Sequence, residues 1–205
     1  MIAVVDYGAG NLTSVKLAFA ALGTEVEITS DPARIRAAER VVFPGVGAAR
    51  SAMDNLSARG LEKALRETAA AGTPFLGICL GTQILFEHTE EDGGVDVLGM
   101  LPGRVLRFRP ADRRDKVPDI GWNQVDTGDA PHPLFNGIPS GSDFYFVHSY
   151  YPEMNPCAIG TTSYGGVRFA SAVARGNVVA TQFHPEKSGR IGLKLLANFL
   201  EWSPC

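Results

Sequence analysis

The segment Gly77-Ile78-Cys79-Leu80-Gly81 constrains this chain more than any other. The apolar run Phe75–Ile78 enters it and a helix-like pattern over Thr82–His88 leaves it, which predicts a sharp strand-to-helix turn at Cys79. Such a turn needs glycine on both sides, because neighbouring backbone packs where side chains would clash. It also sets a thiol at a helix start, where free N–H groups favour the thiolate. A lone cysteine is more often a buried structural thiol; the Gly-x-Cys-x-Gly setting favours a nucleophile.

A strand that ends in a helix implies a layered α/β fold, and the rest of the first half agrees. Ile2–Val5 is a continuous apolar run, as expected of a strand covered on both faces. Leu12, Val15, Ala18, Phe19 and Leu22 recur at helical spacing between Asn11, a predicted N-cap, and Gly23, a predicted stop. Val26–Thr29 and Val41–Phe43 read as strands, and Leu61–Ala71 as a helix ended by Gly72. The second half is richer in short strands: Val105–Phe108, Ile120–Val125, Tyr145–Val147, then Val167–Arg175 and Val178–Phe183 around the hairpin signal Gly176-Asn177. Ser188 is predicted to cap a last helix carrying Ile191, Leu195, Leu196 and Phe199. The expected fold is one α/β domain over residues 1–205, a three-layer, mostly parallel sheet flanked by helices with an antiparallel extension.

Composition narrows the function. The formal charge is −3, from Lys+Arg 19 against Asp+Glu 22, which argues against a nucleic-acid or membrane coat. The uncharged stretch from Thr68 to Phe86 is broken by Gly72, Pro74, Gly77 and Gly81 and is not expected to span a bilayer. No secretory leader is expected at the N-terminus. Cys79, Cys157 and Cys205 are an odd number without CxxC spacing, so free thiols in the cytoplasm are expected. A run from Arg104 to Lys116 holds Arg104, Arg107, Arg109, Arg113, Arg114 and Lys116 against Asp112 and Asp115; a solvated loop is the default reading, a docking face the alternative.

A thiol nucleophile needs a base. Of four histidines, His184 has the most suggestive company, in Phe183-His184-Pro185-Glu186 at the end of a predicted strand. In extended chain, residues two apart share a face with Cα atoms roughly 7 Å apart, so Glu186 is placed to orient the imidazole. A surface turn is the plainer alternative. Pro44-Gly45-Val46-Gly47 follows another strand, and its glycines leave main-chain N–H groups free to face a reacting carbonyl or merely to make a tight turn.

Gly77-Ile78-Cys79-Leu80-Gly81-Thr82-Gln83 with His184-Pro185-Glu186 resembles the class I glutamine amidotransferases. Four further motifs, Asp6-Tyr7-Gly8-Ala9-Gly10-Asn11-Leu12, Pro44-Gly45-Val46-Gly47-Ala48, Lys116-Val117-Pro118-Asp119-Ile120-Gly121-Trp122-Asn123 and Tyr145-Phe146-Val147-His148-Ser149-Tyr150, narrow it to the glutaminase subunits of imidazole glycerol phosphate synthases. The resemblance implies Cys79 as nucleophile, His184 as base and Glu186 as its orienter. It implies oxyanion or substrate contacts at Gly45, Val46, Gly47, Gln83, Glu91, His148, Ser149 and Tyr150. It further implies docking on a (β/α)8-barrel cyclase, as a heterodimer in histidine biosynthesis that makes imidazole glycerol phosphate and AICAR, with Trp122, Asn123, Tyr145 and Lys187 at the interface. No cofactor and no metal are implied. The family often has Phe where this chain has Ala49.

Other classes stay open on the residues alone. Gly8-Ala9-Gly10 suggests a nucleotide-binding turn, but Thr13 stands where a third glycine would be required. A regulatory subunit with an inert triad and a glutaminase feeding a pyridoxal phosphate synthase are further alternatives. A metal site lacks a closely spaced ligand pair. Within the amidotransferase reading, Gly45-Val46-Gly47 is the expected switch, since flanking glycines make a peptide plane easy to turn, with His148 and Tyr145 as candidate transmitters.

Overall fold

The computed structural model describes residues 1–8, 10–112 and 114–204. Ala9, Arg113 and Cys205, each part of a motif or count above, lie outside the described residues. Chain order begins β1 (Ile2–Val5), α1 (Leu12–Ala21), β2 (Val26–Thr29), α2 (Pro32–Arg36), β3 (Arg40–Gly45), α3 (Ala49–Ala58), α4 (Leu61–Ala70), β4 (Phe75–Cys79) and α5 (Leu80–Gln83). The short strands β5 (His88–Thr89), β6 (Val95–Asp96) and β7 (Arg104–Arg107) follow, then β8 (Asp119–Val125), β9 (Ser142–His148) and β10 (Tyr150–Pro152). β11 (Ala158–Tyr164), β12 (Val167–Arg175), β13 (Val178–Thr181) and α6 (Gly189–Glu201) complete the chain.

The central sheet has seven strands in the order β11-β12-β13-β4-β3-β1-β2. Its β13-β4-β3-β1-β2 part is parallel, and β11 and β12 extend it antiparallel, as the sequence predicts. Alternation sorts the side chains between two cores. Ala3, Val5, Val41, Phe43 and Phe75 face α2, α3 and α4; Val4, Val42, Leu76 and Ile78 face α1 and α6. Truncating one of these fully buried large side chains to Ala costs about 2–5 kcal/mol. Two smaller sheets, β10-β7-β5-β6 and β8-β9, stand beside the main one.

Asn11 caps α1 as expected, its side chain accepting from Ser14 N at 3.4 Å. The β12–β13 hairpin turns at Gly176 and Asn177 with Arg175 paired to Val178. Two expectations are corrected. The helix predicted over Thr82–His88 begins at Leu80 and ends at Gln83, because the carbonyls that would continue it are taken by another segment. Leu98 N donates to Ile84 O, Met100 N and Leu101 N to Leu85 O, and Gly99 N to Phe86 O, at 2.6–2.9 Å. Ser188 stands at the N-cap of α6, but its side chain makes no capping bond; the hydroxyl is engaged at the site instead.

Candidate active site

Every element of the elbow is forced by close packing. Cys79 has φ 56° and ψ −114°, a backbone state L-residues rarely adopt and one that costs on the order of 1–3 kcal/mol. A Cβ on Gly81 would collide with the Phe43 carbonyl, and one on Gly45 would lie 2.7 Å from Gly81 N. One on Gly77 would stand 2.8 Å from Leu85 and 3.1 Å from Ala180. The three glycines thus let β3, β4 and the start of α5 close on Cys79. Because α5 is one turn long, Leu80–Gln83, its dipole at Cys79 is slight.

The chief neighbour is His184. Its Nδ1 lies 2.7 Å from Glu186 Oε1, with both side chains about 2% exposed. The pairing arises differently from the extended geometry expected: β13 ends at Thr181, and Pro185–Lys187 form a 3-10 turn that folds Glu186 back under the ring. Ser188 secures this turn. Its hydroxyl donates to His184 O at 2.6 Å and accepts from Tyr145 N at 3.0 Å, while His184 N donates to Tyr145 O at 2.9 Å. Burial alone would push the His184 pKa down, but the charges on Cys79 and Glu186 outweigh it, and it is raised from 6.5 to about 10. Among the described residues His184 Nε2 is buried without a partner at full hydrogen-bond geometry, yet Cys79 acts on the ring both through its charge and as a hydrogen-bonding neighbour.

Cys79 and His184 line a cleft of about 320 Å3, walled also by Val46, Gly47, Leu80, Gln83, Glu91, Pro118, Val147, His148, Ser149, Tyr150 and Lys187. That volume suits an amino-acid-sized ligand. Of the expected substrate contacts only Gly45 is absent from the wall; it is buried against Tyr7 and Gly81 beneath the elbow. Gln83 is held by its amide, which donates to Tyr150 O at 2.9 Å and Gln182 Oε1 at 3.0 Å. Gln182 in turn lies 3.9 Å from Cys79 Sγ. Its contact with the thiol went unread in the sequence, although it adjoins the His184 motif. Glu91 accepts from Ala49 N at 2.7 Å, the first residue of α3, and burial raises its pKa. His148 donates from Nδ1 to Tyr150 O at 2.7 Å, and burial above all lowers it to about 4, so it is neutral at pH 7. Its Nε2 is 3.7 Å from Asp119, too far to bond.

Main-chain direction at Val46 follows from the ladder. Val41 N donates to Pro74 O at 2.9 Å, and alternate residues of a parallel strand face the same neighbour. With Val41 paired to Phe75 and Gly45 to Cys79, the Gly45 carbonyl is directed toward β4. The Val46 N–H, opposed to it across one planar peptide, is directed toward the β1 side.

The expected interface residues divide. Trp122 is 56% exposed and meets Tyr145, its cross-strand partner, edge-on at 5.9 Å; Lys187 Nζ lies 5.9 Å from the Tyr145 ring. A core role for Trp122 is thereby excluded. Asn123, half-buried, lies on the other face of β8 from Trp122, where its amide donates to Asp119 at 2.8 and 3.1 Å. In the basic run, Arg109 pairs with Glu90 at 3.0 Å and Arg114 with Asp112 at 2.6 Å, as a solvated loop would. Cys157 is half-buried and outside the cleft. Among the described residues no group of three His, Cys, Asp or Glu is placed to hold a metal, and no helix is long and apolar enough to cross a membrane.

Comparison with known proteins places this geometry. The family model for glutamine amidotransferase class-I matches residues 3–202. An imidazole glycerol phosphate synthase subunit HisH of Methylococcus capsulatus is 53% identical over 211 residues, covering 99% of this chain and 97% of the relative. One from Moorella thermoacetica is 54% identical over 202 residues, covering 98% and 94%. Among solved structures, a glutamine amidotransferase aligns with TM-score 0.71 at 20% identity over 98% of each chain. PurLQS from Thermotoga maritima aligns with TM-score 0.73 at 19% identity, over 98% of this chain and 97% of that one, a likeness of fold. A cysteine elbow on a parallel sheet, in a chain more than half identical to these subunits along nearly its whole length, belongs to the class-I glutamine amidotransferase family, within its imidazole glycerol phosphate synthase HisH branch.

Proposed function

We propose that residues 1–205 act as one glutaminase domain that hydrolyses L-glutamine through Cys79, His184 and Glu186 and passes the ammonia to a cyclase subunit. The observation that carries this reading is a strained cysteine on the wall of an amino-acid-sized cleft it shares with a histidine 2.7 Å from a buried carboxylate. The Cys79 thiolate attacks the side-chain amide carbon of glutamine, and the carbonyl electron pair moves onto oxygen. His184, held as imidazolium, gives its Nε2 proton to the amide nitrogen, the C–N bond breaks, and ammonia leaves behind a thioester. Neutral His184 then takes a proton from water; the hydroxide adds, and the C–S bond breaks to release glutamate and the thiolate. Glu186 holds the ring by Nδ1 through both steps. Glu91 supplies a carboxylate for the substrate α-ammonium, and Gln83 with His148–Tyr150 shapes the opposite wall.

The oxyanion needs main-chain donors, a role we assign to Leu80 N–H and Val46 N–H, whose residues line the cleft beside Cys79. With Val46 N–H turned away, the resting site is incomplete; turning the Gly45–Val46 peptide completes it. Losing one such donor typically costs ~10²–10³ in turnover, a fitting size for a gate that prevents idle hydrolysis. Trp122, Tyr145 and Lys187 form the face on which a (β/α)8-barrel cyclase docks to give a cytoplasmic heterodimer. There the ammonia is used to make imidazole glycerol phosphate and AICAR in histidine biosynthesis. The test is Cys79→Ala in the complex: glutamine-dependent synthesis is expected to vanish while synthesis from added ammonia survives. Retained glutamine-dependent turnover would refute the assignment.

A further inference from the structure

Tyr7 is fully buried, and among the described residues its hydroxyl has no hydrogen-bond partner. The ring packs on Phe43 at 5.5 Å, which Phe would do equally well. The hydroxyl occupies the space a Cβ on Gly45 would need, beside Gly81 N. A buried, unpaired O–H is costly, and its retention at the root of the Gly45–Gly47 turn calls for a partner that this conformation does not supply.

The topology shows where one would come from. β3 lies between β4 and β1, and Tyr7 follows β1 by two residues. The Gly45 carbonyl now faces β4. If the Val46 N–H turns to the cleft, the rigid peptide swings that carbonyl to the β1 side, into a buried region where it would be orphaned without a donor. We propose that Tyr7 is a positioning residue: its hydroxyl donates to the displaced Gly45 carbonyl and holds the turn in its reactive form. The inference rests on the glutaminase reading and its main-chain gate. Cys79 also acts on Tyr7, raising its pKa beyond the effect of burial, so the hydroxyl remains a protonated donor while the thiolate is present.

The experiment is Tyr7→Phe in the full chain, assayed with the synthase partner and its ligand. One hydrogen bond made only in the turned form is worth about a tenfold fall in kcat, with glutamine KM within twofold. The melting temperature is expected to be unchanged or higher, because an unpaired buried hydroxyl has been removed. Alkylation of Cys79 by iodoacetamide, which needs no oxyanion hole, should proceed at the wild-type rate. Wild-type kcat in the variant, an effect confined to KM, a lowered melting temperature accompanying the loss, or slowed alkylation would each overturn the inference. Failure of the wild-type complex to release glutamate would instead overturn the underlying function.

Discussion

Trp122→Ala separates a docking residue from a packing one, because the ring is divided between protein and solvent. A Trp side chain carries about 200 Å2 of surface. With 56% of the residue exposed, a little under half of that is already covered, chiefly by Tyr145. At ~25 cal/mol per Å2, that covered part is worth ~2 kcal/mol as an upper bound, and ~1–2 once the partly collapsed unfolded chain is allowed for. A domain of this size loses about 2–4 °C per kcal/mol, so the isolated variant should melt about 2–8 °C lower. A core Trp would cost ~3–5 kcal/mol. The exposed part, about 110 Å2, is worth ~3 kcal/mol when a partner covers it. This corresponds to a roughly 100-fold weaker Kd. Calorimetric melting of the chain alone and titration against the proposed cyclase partner read the two quantities independently. A fall of more than about 10 °C with affinity changed less than about threefold, against the losses expected for an exposed anchor, would refute the assignment.

Glu186→Gln should reduce kcat less than His184→Ala, since the base survives with poorer orientation, and the double variant should resemble His184→Ala rather than the product of the two effects; multiplicative losses would mean independent roles. Stability should carry two pH signatures of opposite sense. His184 is raised to about 10 in the fold from 6.5, so its contribution is full below about 6.5 and is lost as pH rises toward 10. His148 is lowered to about 4, so its contribution is full above 6.5 and is lost as pH falls toward 4. Melting curves of wild type across that range should show both slopes, while His184→Gln loses the alkaline one and His148→Gln the acid one; either slope surviving its substitution contradicts the assignment.

What was readable in the sequence was whatever local spacing decides. The strand runs Ile2–Val5 and Phe75–Ile78, the cap at Asn11 and the hairpin at Gly176-Asn177 depend on neighbours within a few residues, and the structure has them where expected. The elbow was readable for the same reason: its glycines answer a steric demand set at Cys79 itself. The helix α3 was missed because its buried positions are Ala49, Ala52 and Leu56, two of them too small to mark a core face among polar residues, and Ala48 offers no capping side chain. The strand β11 was missed because its run is interrupted by Gly160 and polar Thr161–Ser163.

The misreadings share a different cause, a distant partner that outbids the local one. The carbonyls after Gln83 bond to residues 98–101 instead of continuing a helix, and the Ser188 hydroxyl bonds His184 O and receives Tyr145 N instead of capping α6. In both cases the displaced local bond is worth about 1 kcal/mol. The same competition shapes the site. Ser188 given up as a cap fixes the turn that brings Glu186 to His184, and α5 cut short leaves its end facing the Leu98–Leu101 segment that packs behind Leu85. Ser188, which forgoes its nearest partner, is therefore the residue through which β9 and the start of α6 hold His184, and substituting it should disturb the His184–Glu186 geometry well before it unravels the helix it nominally begins.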